Sequence, residues 1–64
     1  MAKINGKIIP SADETTLSDF IDREGYGKRI AVEYNGEILP KSEYDSRIIL
    51  PDDEIEIVEF MGGG

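Results

Sequence analysis

Leu50-Pro51-Asp52-Asp53-Glu54-Ile55-Glu56-Ile57-Val58-Glu59-Phe60-Met61-Gly62-Gly63-Gly64 makes up the last part of this 64-residue sequence. It reads as a turn at Pro51-Asp52-Asp53, a strand over Glu54–Phe60, and three glycines in a row. Successive side chains of a strand point to opposite faces. Ile55 and Ile57 therefore share one side, and Glu54, Glu56, Val58 and Phe60 share the other. With the isoleucines inward, Val58 and Phe60 turn outward beside the glycines and read as a docking patch. A bulge or frayed end that tucks Phe60 back inside is the alternative. Glycine gives up the most backbone freedom when fixed, so residues 61–64 are expected to form a loose arm ending in an α-carboxylate. Its reach is about 10–14 Å when extended, at ~3.4 Å per residue. Residues without a Cβ suit a channel too narrow for any other side chain, although a plain linker reads the same way.

Upstream, the turn signals are regular. Ala2–Pro10 reads as a hairpin turned at Asn5-Gly6, and Ile30–Leu39 as a second one turned at Asn35-Gly36. In the second, Ile30, Val32 and Tyr34 alternate with Ala31 and Glu33, giving one buried and one wetter face. Pro40 removes a donor and ends the pairing. Ser11–Thr15 is a polar connection, after which Thr16 is expected to cap a helix, with Asp19 three residues on. Leu17, Phe20 and Ile21 fall at i, i+3 and i+4, so one helical face is apolar. Gly25 ends the helix, expected over Leu17–Glu24. Ser42 with Asp45 is expected to cap one short helical turn that carries Tyr44 inward, and Arg47–Leu50 is a short apolar piece. This element order predicts a two-layer α+β domain, one main helix over a mixed sheet of four to five strands. The connection through the helix is long enough to join parallel neighbours.

Composition narrows the function classes. A chain of this length holds one small domain, and it contains neither cysteine nor histidine. Disulfides, thiolate metal sites and the usual general base are thereby excluded. The core has to come from packed aliphatics, isoleucine foremost, a bias that leans towards strands. A net charge of −7 argues against nucleic acid, whose phosphates demand Lys and Arg. Lys3, Lys7, Lys28, Arg29, Lys41 and Arg47 are scattered along the sequence. The acidity steers the domain towards a basic surface, or simply keeps it soluble. No apolar run approaches the ~20 residues of a membrane span, and no signal peptide is expected before the fold. A cytoplasmic protein without a membrane partner is expected. Asp52, Asp53 and Glu54 are consecutive and diverge from a turn, so they are expected to be solvated, with no metal site and no catalytic residue assigned.

The Asn5-Gly6 hairpin, Thr16-Leu17 at the helix start, the Leu50–Val58 segment and Gly62-Gly63-Gly64 together resemble the ubiquitin-like sulfur carriers. The length and the Phe60-Met61 pair before the glycines most resemble the carrier of thiamin thiazole biosynthesis, the ThiS family. The likeness covers essentially the whole chain, with one departure. The usual acidic turn has glycine before its second aspartate, and Pro51-Asp52-Asp53 has none.

Membership implies a β-grasp domain over residues 1–60 and a flexible glycine-rich tail over 61–64. It implies that an E1-like adenylyltransferase of the ThiF type uses ATP to adenylate the carboxylate of Gly64. A sulfur donor such as a cysteine desulfurase then yields a thiocarboxylate, and a thiazole synthase of the ThiG type accepts its sulfur. Gly62 and Gly63 would thread the partner's active site, while Val58, Phe60 and Met61 would dock. The carrier itself would bind no cofactor and would be no enzyme. A carboxylate is a poor electrophile, and adenylation supplies its leaving group inside a site that must exclude water. A chain without histidine or cysteine is compatible with such passive service. A molybdopterin-synthase-type carrier and a β-grasp interaction module without tail chemistry are the alternatives, with ubiquitin-like conjugation a third outcome of the same adenylate.

Overall fold

A computed structural model describes residues 1–60. Two tight hairpins and one long strand build its sheet. Strands β1 (Lys3–Ile4) and β2 (Lys7–Ile8) pair antiparallel. The residues between them, Asn5 at φ 52° and Gly6 at φ 80°, both hold the left-handed conformation. That is the type I′ turn, whose twist matches its flanking strands. Strands β3 (Ile30–Tyr34) and β4 (Glu37–Ile38) repeat the device through Asn35 at φ 52° and Gly36 at φ 87°. Strand β5 (Glu54–Glu59) enters between the hairpins, parallel to β1 and antiparallel to β3, giving the order β2-β1-β5-β3-β4.

The sheet is mixed, as the sequence predicts, but its parallel neighbours are the first and last strands and not two strands joined directly through the helix. The last strand takes the centre because its edges are then both paired and its isoleucines covered.

Helix α1 (Leu17–Arg23) starts where Thr16 Oγ1 accepts the Asp19 N–H at 3.1 Å. It stops at Glu24, and Gly25 at φ 80° turns the chain away. Its buried face, Leu17, Phe20 and Ile21, packs with Ile4, Val32, Ile49, Ile55 and Ile57 into one core. Each such side chain contributes roughly 1.5–3 kcal/mol when fully buried, which is what holds so short a helix in place.

Several local expectations give way to tertiary contacts. Where the expected first hairpin (Ala2–Pro10) meets the stretch read as a polar connection (Ser11–Thr15), Pro10–Ala12 forms a 3₁₀ turn and Ala12 is fully buried. The Arg23 guanidinium fastens this turn by donating to the Ser11 carbonyl at 3.1 Å. Glu14 then sits at φ 64°, with its N–H donating to Ile49 O at 2.7 Å. Ser42 caps nothing. The 3₁₀ turn Lys41–Glu43 begins from Pro40 without a side-chain cap, because the proline's restricted φ already sets the entry. Tyr44 does pack against the core, as expected.

The acidic turn departs furthest from its reading. Asp53, expected in solvent, is only 8% exposed. Its carboxylate accepts from the Tyr34 hydroxyl, from Asn35 Nδ2 at 3.1 Å and from the Leu50 N–H at 2.9 Å. The turn closes when the Asp53 N–H donates to Leu50 O at 3.1 Å. Asp52 does not enter the left-handed region, and Pro51 presets the first corner. The turn therefore forms without the glycine that the usual pattern carries.

Candidate functional site

Strand β5 is gripped by the turns of both hairpins. The Ile57 N–H donates to Asn5 Oδ1 at 2.7 Å, and the Glu54 N–H donates to Asn35 Oδ1 at 2.8 Å. The same asparagines donate their backbone N–H groups to Ile55 O at 2.9 Å and Glu54 O at 2.7 Å. Asn5 and Asn35 thus turn their own hairpins and set the phase of a strand remote in sequence. A slip of one residue would reverse every side chain of β5. The phase observed puts Ile55 and Ile57 in the core and Glu54, Glu56 and Val58 on the open face of the sheet.

Past the strand, the Phe60 N–H donates to Arg29 O at 2.8 Å, which continues the ladder by one residue. Phe60 remains 57% exposed and Val58 53%. Phe60 is not tucked back inside. The remaining residues named for the site, Met61, Gly62, Gly63 and Gly64, lie outside the described residues.

The open face has a definite pattern across the strands. Val58 lies opposite Ala31, Glu56 opposite Glu33, and Glu33 opposite Ile38, which is 68% exposed. Lys3 lies between Ile8 and Glu54. An apolar set of Ile38, Val58 and Phe60 therefore borders the facing glutamates Glu33 and Glu56. Like charges directly opposed weaken a free sheet slightly. Between the two hairpin turns, Lys3, Glu33, Glu54 and Glu56 line a depression of about 250 Å³.

Ile8 and Ile38 were not singled out from the sequence, yet the signal was there. A two-residue turn pairs Lys3 with Ile8 and Glu33 with Ile38, so each isoleucine has to share the face of its charged partner.

Electrostatics separate this face from the buried acid. Burial by itself pushes the Asp53 carboxyl up, but the hydrogen bonds from Tyr34, the Leu50 N–H and Asn35, with the Arg47 guanidinium nearby, hold it below its ordinary value. Burial, then the Asp53 carboxylate that accepts its proton, push the Tyr34 hydroxyl well above its own. Arg47 stands 5.0 Å from the Tyr34 ring centroid and 3.3 Å from Glu43 Oε1. This network locks the acidic turn to the β3–β4 hairpin and is a structural device.

Among the described residues no group of three potential metal ligands gathers, and no helix is long and apolar enough to cross a membrane. What the open face offers is apolar contact beside negative charge, at the end of the strand that leads to residue 61.

The family model that matches this chain is that of the ThiS family, over residues 1–64. The sulfur carrier protein ThiS of Bacillus subtilis is 36% identical over 66 aligned positions, covering all of both chains. A thiazole synthase of Paramagnetospirillum magneticum is 39% identical over 62 residues, which are 95% of this chain but only 19% of that protein. The chain thus spans about a fifth of that relative's length. Among solved structures, the thiamine biosynthesis protein ThiS of Geobacter metallireducens superposes with a TM-score of 0.77 at 27% identity, covering 98% of this chain and 97% of that one. The shared architecture is the β-grasp fold.

Proposed function

The chain belongs to the ThiS family of sulfur carriers in thiamin biosynthesis, and from that premise we propose that its working atom is the terminal carboxylate of Gly64. An E1-like adenylyltransferase of the ThiF type activates that carboxylate. A carboxylate oxygen attacks the α-phosphorus of ATP, and pyrophosphate leaves. A sulfur donor such as a cysteine desulfurase supplies sulfur as a persulfide, whose terminal sulfur attacks the acyl carbon as AMP departs; a thiol reductant then cleaves the S–S bond of the resulting acyl disulfide, and Gly64 ends in a thiocarboxylate. A thiazole synthase of the ThiG type accepts the sulfur. A thiazole synthase with a region similar to this chain supports that partner. The carrier contributes no acid, base or metal. ATP belongs to the partner, and the setting is the cytoplasm.

The observation that carries this reading is the pair Val58 and Phe60, exposed and apolar at the end of β5 directly before Met61. Val58, Phe60 and Met61 dock on the partner and hold the body against it, and Gly62 and Gly63 thread its active site. Without a Cβ, the threaded backbone passes walls that any other residue would strike. Immobilising the body next to the reacting atom raises its effective concentration there.

Intact-protein mass spectrometry tests the proposal. The chain is incubated with a thiamin-pathway adenylating enzyme, ATP and a sulfur source. The expected result is the mass gain of one oxygen exchanged for one sulfur, confined to the C-terminal fragment. An unmodified chain, under conditions that load a known carrier, overturns it. Deleting Gly64 abolishes loading and leaves docking intact, whereas an interaction module that binds through its sheet alone would lose nothing.

A further inference from the structure

The same dipeptide turns both hairpins, Asn5-Gly6 and Asn35-Gly36, and asparagine is among the thermally labile residues. Before glycine it is at its most reactive, because the following nitrogen has no side chain to shield it. That nitrogen attacks the asparagine side-chain carbon Cγ. The Cγ–Nδ2 bond breaks, the glycine amide proton goes to the departing nitrogen, and ammonia leaves. Water then opens the five-membered imide at one of its two carbonyls, which gives aspartate or isoaspartate. All four residues are exposed, so water reaches both turns.

The fold restrains both amides at both ends. Asn5 Oδ1 accepts from the Ile57 N–H at 2.7 Å, and its Nδ2 donates to the Tyr26 hydroxyl at 3.3 Å. Asn35 Oδ1 accepts from the Glu54 N–H at 2.8 Å, and its Nδ2 donates to Asp53 Oδ1 at 3.1 Å. Ring closure takes an amide away from these partners, so it requires the hairpin to part from β5. Each hairpin ends in an outer strand of two residues at an edge of the sheet, and such elements open locally before the whole fold does.

The two turns differ in what the product meets, since deamidation replaces the donor Nδ2 by a carboxylate oxygen. At position 5 that oxygen faces the Tyr26 hydroxyl, which rotates its proton to supply a donor. The Ile57 N–H keeps its acceptor, and aspartate before glycine suits a type I′ turn. At position 35 the new oxygen faces the carboxylate of buried Asp53, which loses one of its three donors and gains a like charge. Arg47, a cation acting on that network, already pairs with Glu43 at 3.3 Å. Isoaspartate adds a backbone carbon and breaks either turn. We propose that Asn35-Gly36 is a self-modification site: loss of ammonia there unseats Asp53 and frees β5, whereas aspartate at position 5 is tolerated. Each opening of the β3–β4 hairpin then advances a one-way timer that withdraws aged molecules from the folded pool. The inference needs no partner and does not depend on the role of Gly64.

The full chain, aged at mildly alkaline pH, tests this after a brief protease pulse that digests unfolded molecules and spares folded ones. Peptide mapping of the two pools locates each amide converted to an acid. Acid at position 35 is expected in the digested pool and absent from the resistant one, with aspartate at position 5 present in the resistant pool. Acid at 35 as abundant as acid at 5 among the resistant molecules overturns the proposal. So does an amide at 35 that survives in both pools while the same chain held in urea loses it. Variants isolate the cause. Asn35→Asp should lower the urea midpoint by about 1 M or more, and Asn5→Asp by less than about half of that. Asn35→Asp/Asp53→Asn exchanges acid and amide at unchanged net charge. The amide at 53 then donates to the acid at 35, while its oxygen still accepts from Tyr34 and Leu50, so most of the lost midpoint should return. Equal losses in the two single variants, or no recovery in the double one, refute the role given to Asp53. Should Asn35→Asp fail to fold, the aged parent and the double variant still decide.

Discussion

Replacing Asp53 by alanine removes an acceptor shared by three donors: the Tyr34 hydroxyl, Asn35 Nδ2 and the Leu50 N–H. Asp53 is buried, so water cannot replace it freely. A buried donor left without a partner costs about 1–3 kcal/mol. The Tyr34 hydroxyl retains only a long contact to Ile48 O at 3.4 Å, and Asn35 is exposed enough to hydrate. Counting Tyr34 and Leu50 in full and Asn35 as little, the loss is about 2–6 kcal/mol. Natural domains of this size hold only about 3–10 kcal/mol in total. Urea unfolding followed by circular dichroism measures it. With a slope near 1 kcal/mol/M for a chain this small, the midpoint should fall by about 2 M or more. Asp52→Ala, one residue away and exposed, is the control and should stay within about 0.5 kcal/mol of the parent. If the two variants unfold together, the buried network contributes nothing and the reasoning fails. The effect should also depend on pH. The folded Asp53 carboxyl is held below its unfolded value of about 3.9. Its contribution is therefore complete above that value and is lost as pH falls through the lower, folded one. The gap between parent and Asp53→Ala should close on acidification and hold steady from pH 5 upward.

Four further outcomes are expected. Asn5→Ala and Asn35→Ala each strain a left-handed turn and remove an acceptor from β5, costing about 1–3 kcal/mol apiece in the same urea assay. Glu14→Gly should raise stability by about 0.5–1 kcal/mol, since Glu14 at φ 64° is exposed and glycine adopts that conformation freely; a loss of stability would show that its side chain matters more than its backbone. In an alkaline titration followed by tyrosinate absorbance, Tyr34 should ionise last and only as the fold gives way, because its folded value is raised and the stability it lends is lost as pH rises; Tyr34→Phe should remove that late phase. Val58→Asp and Phe60→Asp should leave the unfolding midpoint within about 0.5 kcal/mol of the parent while reducing sulfur loading by the adenylating enzyme at least tenfold, and unchanged loading would remove these two side chains from the docking surface.

Much of this protein is legible in the order of its residues because the signals involved are local. Asn-Gly twice, Thr16 before an apolar i, i+3, i+4 set, and the alternation through Ile55 and Ile57 each act within a few residues of themselves. They determined the hairpins, the helix and the face on which Val58 and Phe60 emerge. The glycine end and the closing strand likewise pointed to the family without any coordinates. What only the tertiary structure decided depends on partners far along the chain. Asp53 looked like a solvated turn residue and is buried, because Tyr34 and Asn35, 19 and 18 positions away, supply its donors. Asn5 reaches Ile57 across 52 positions, and Lys28 meets Lys41 only when the helix, the loop before β3 and the turn after β4 come together. A hydrogen bond satisfies a group wherever its partner comes from, so sequence proximity reveals turns and faces, while burial of charge is settled by the assembled fold.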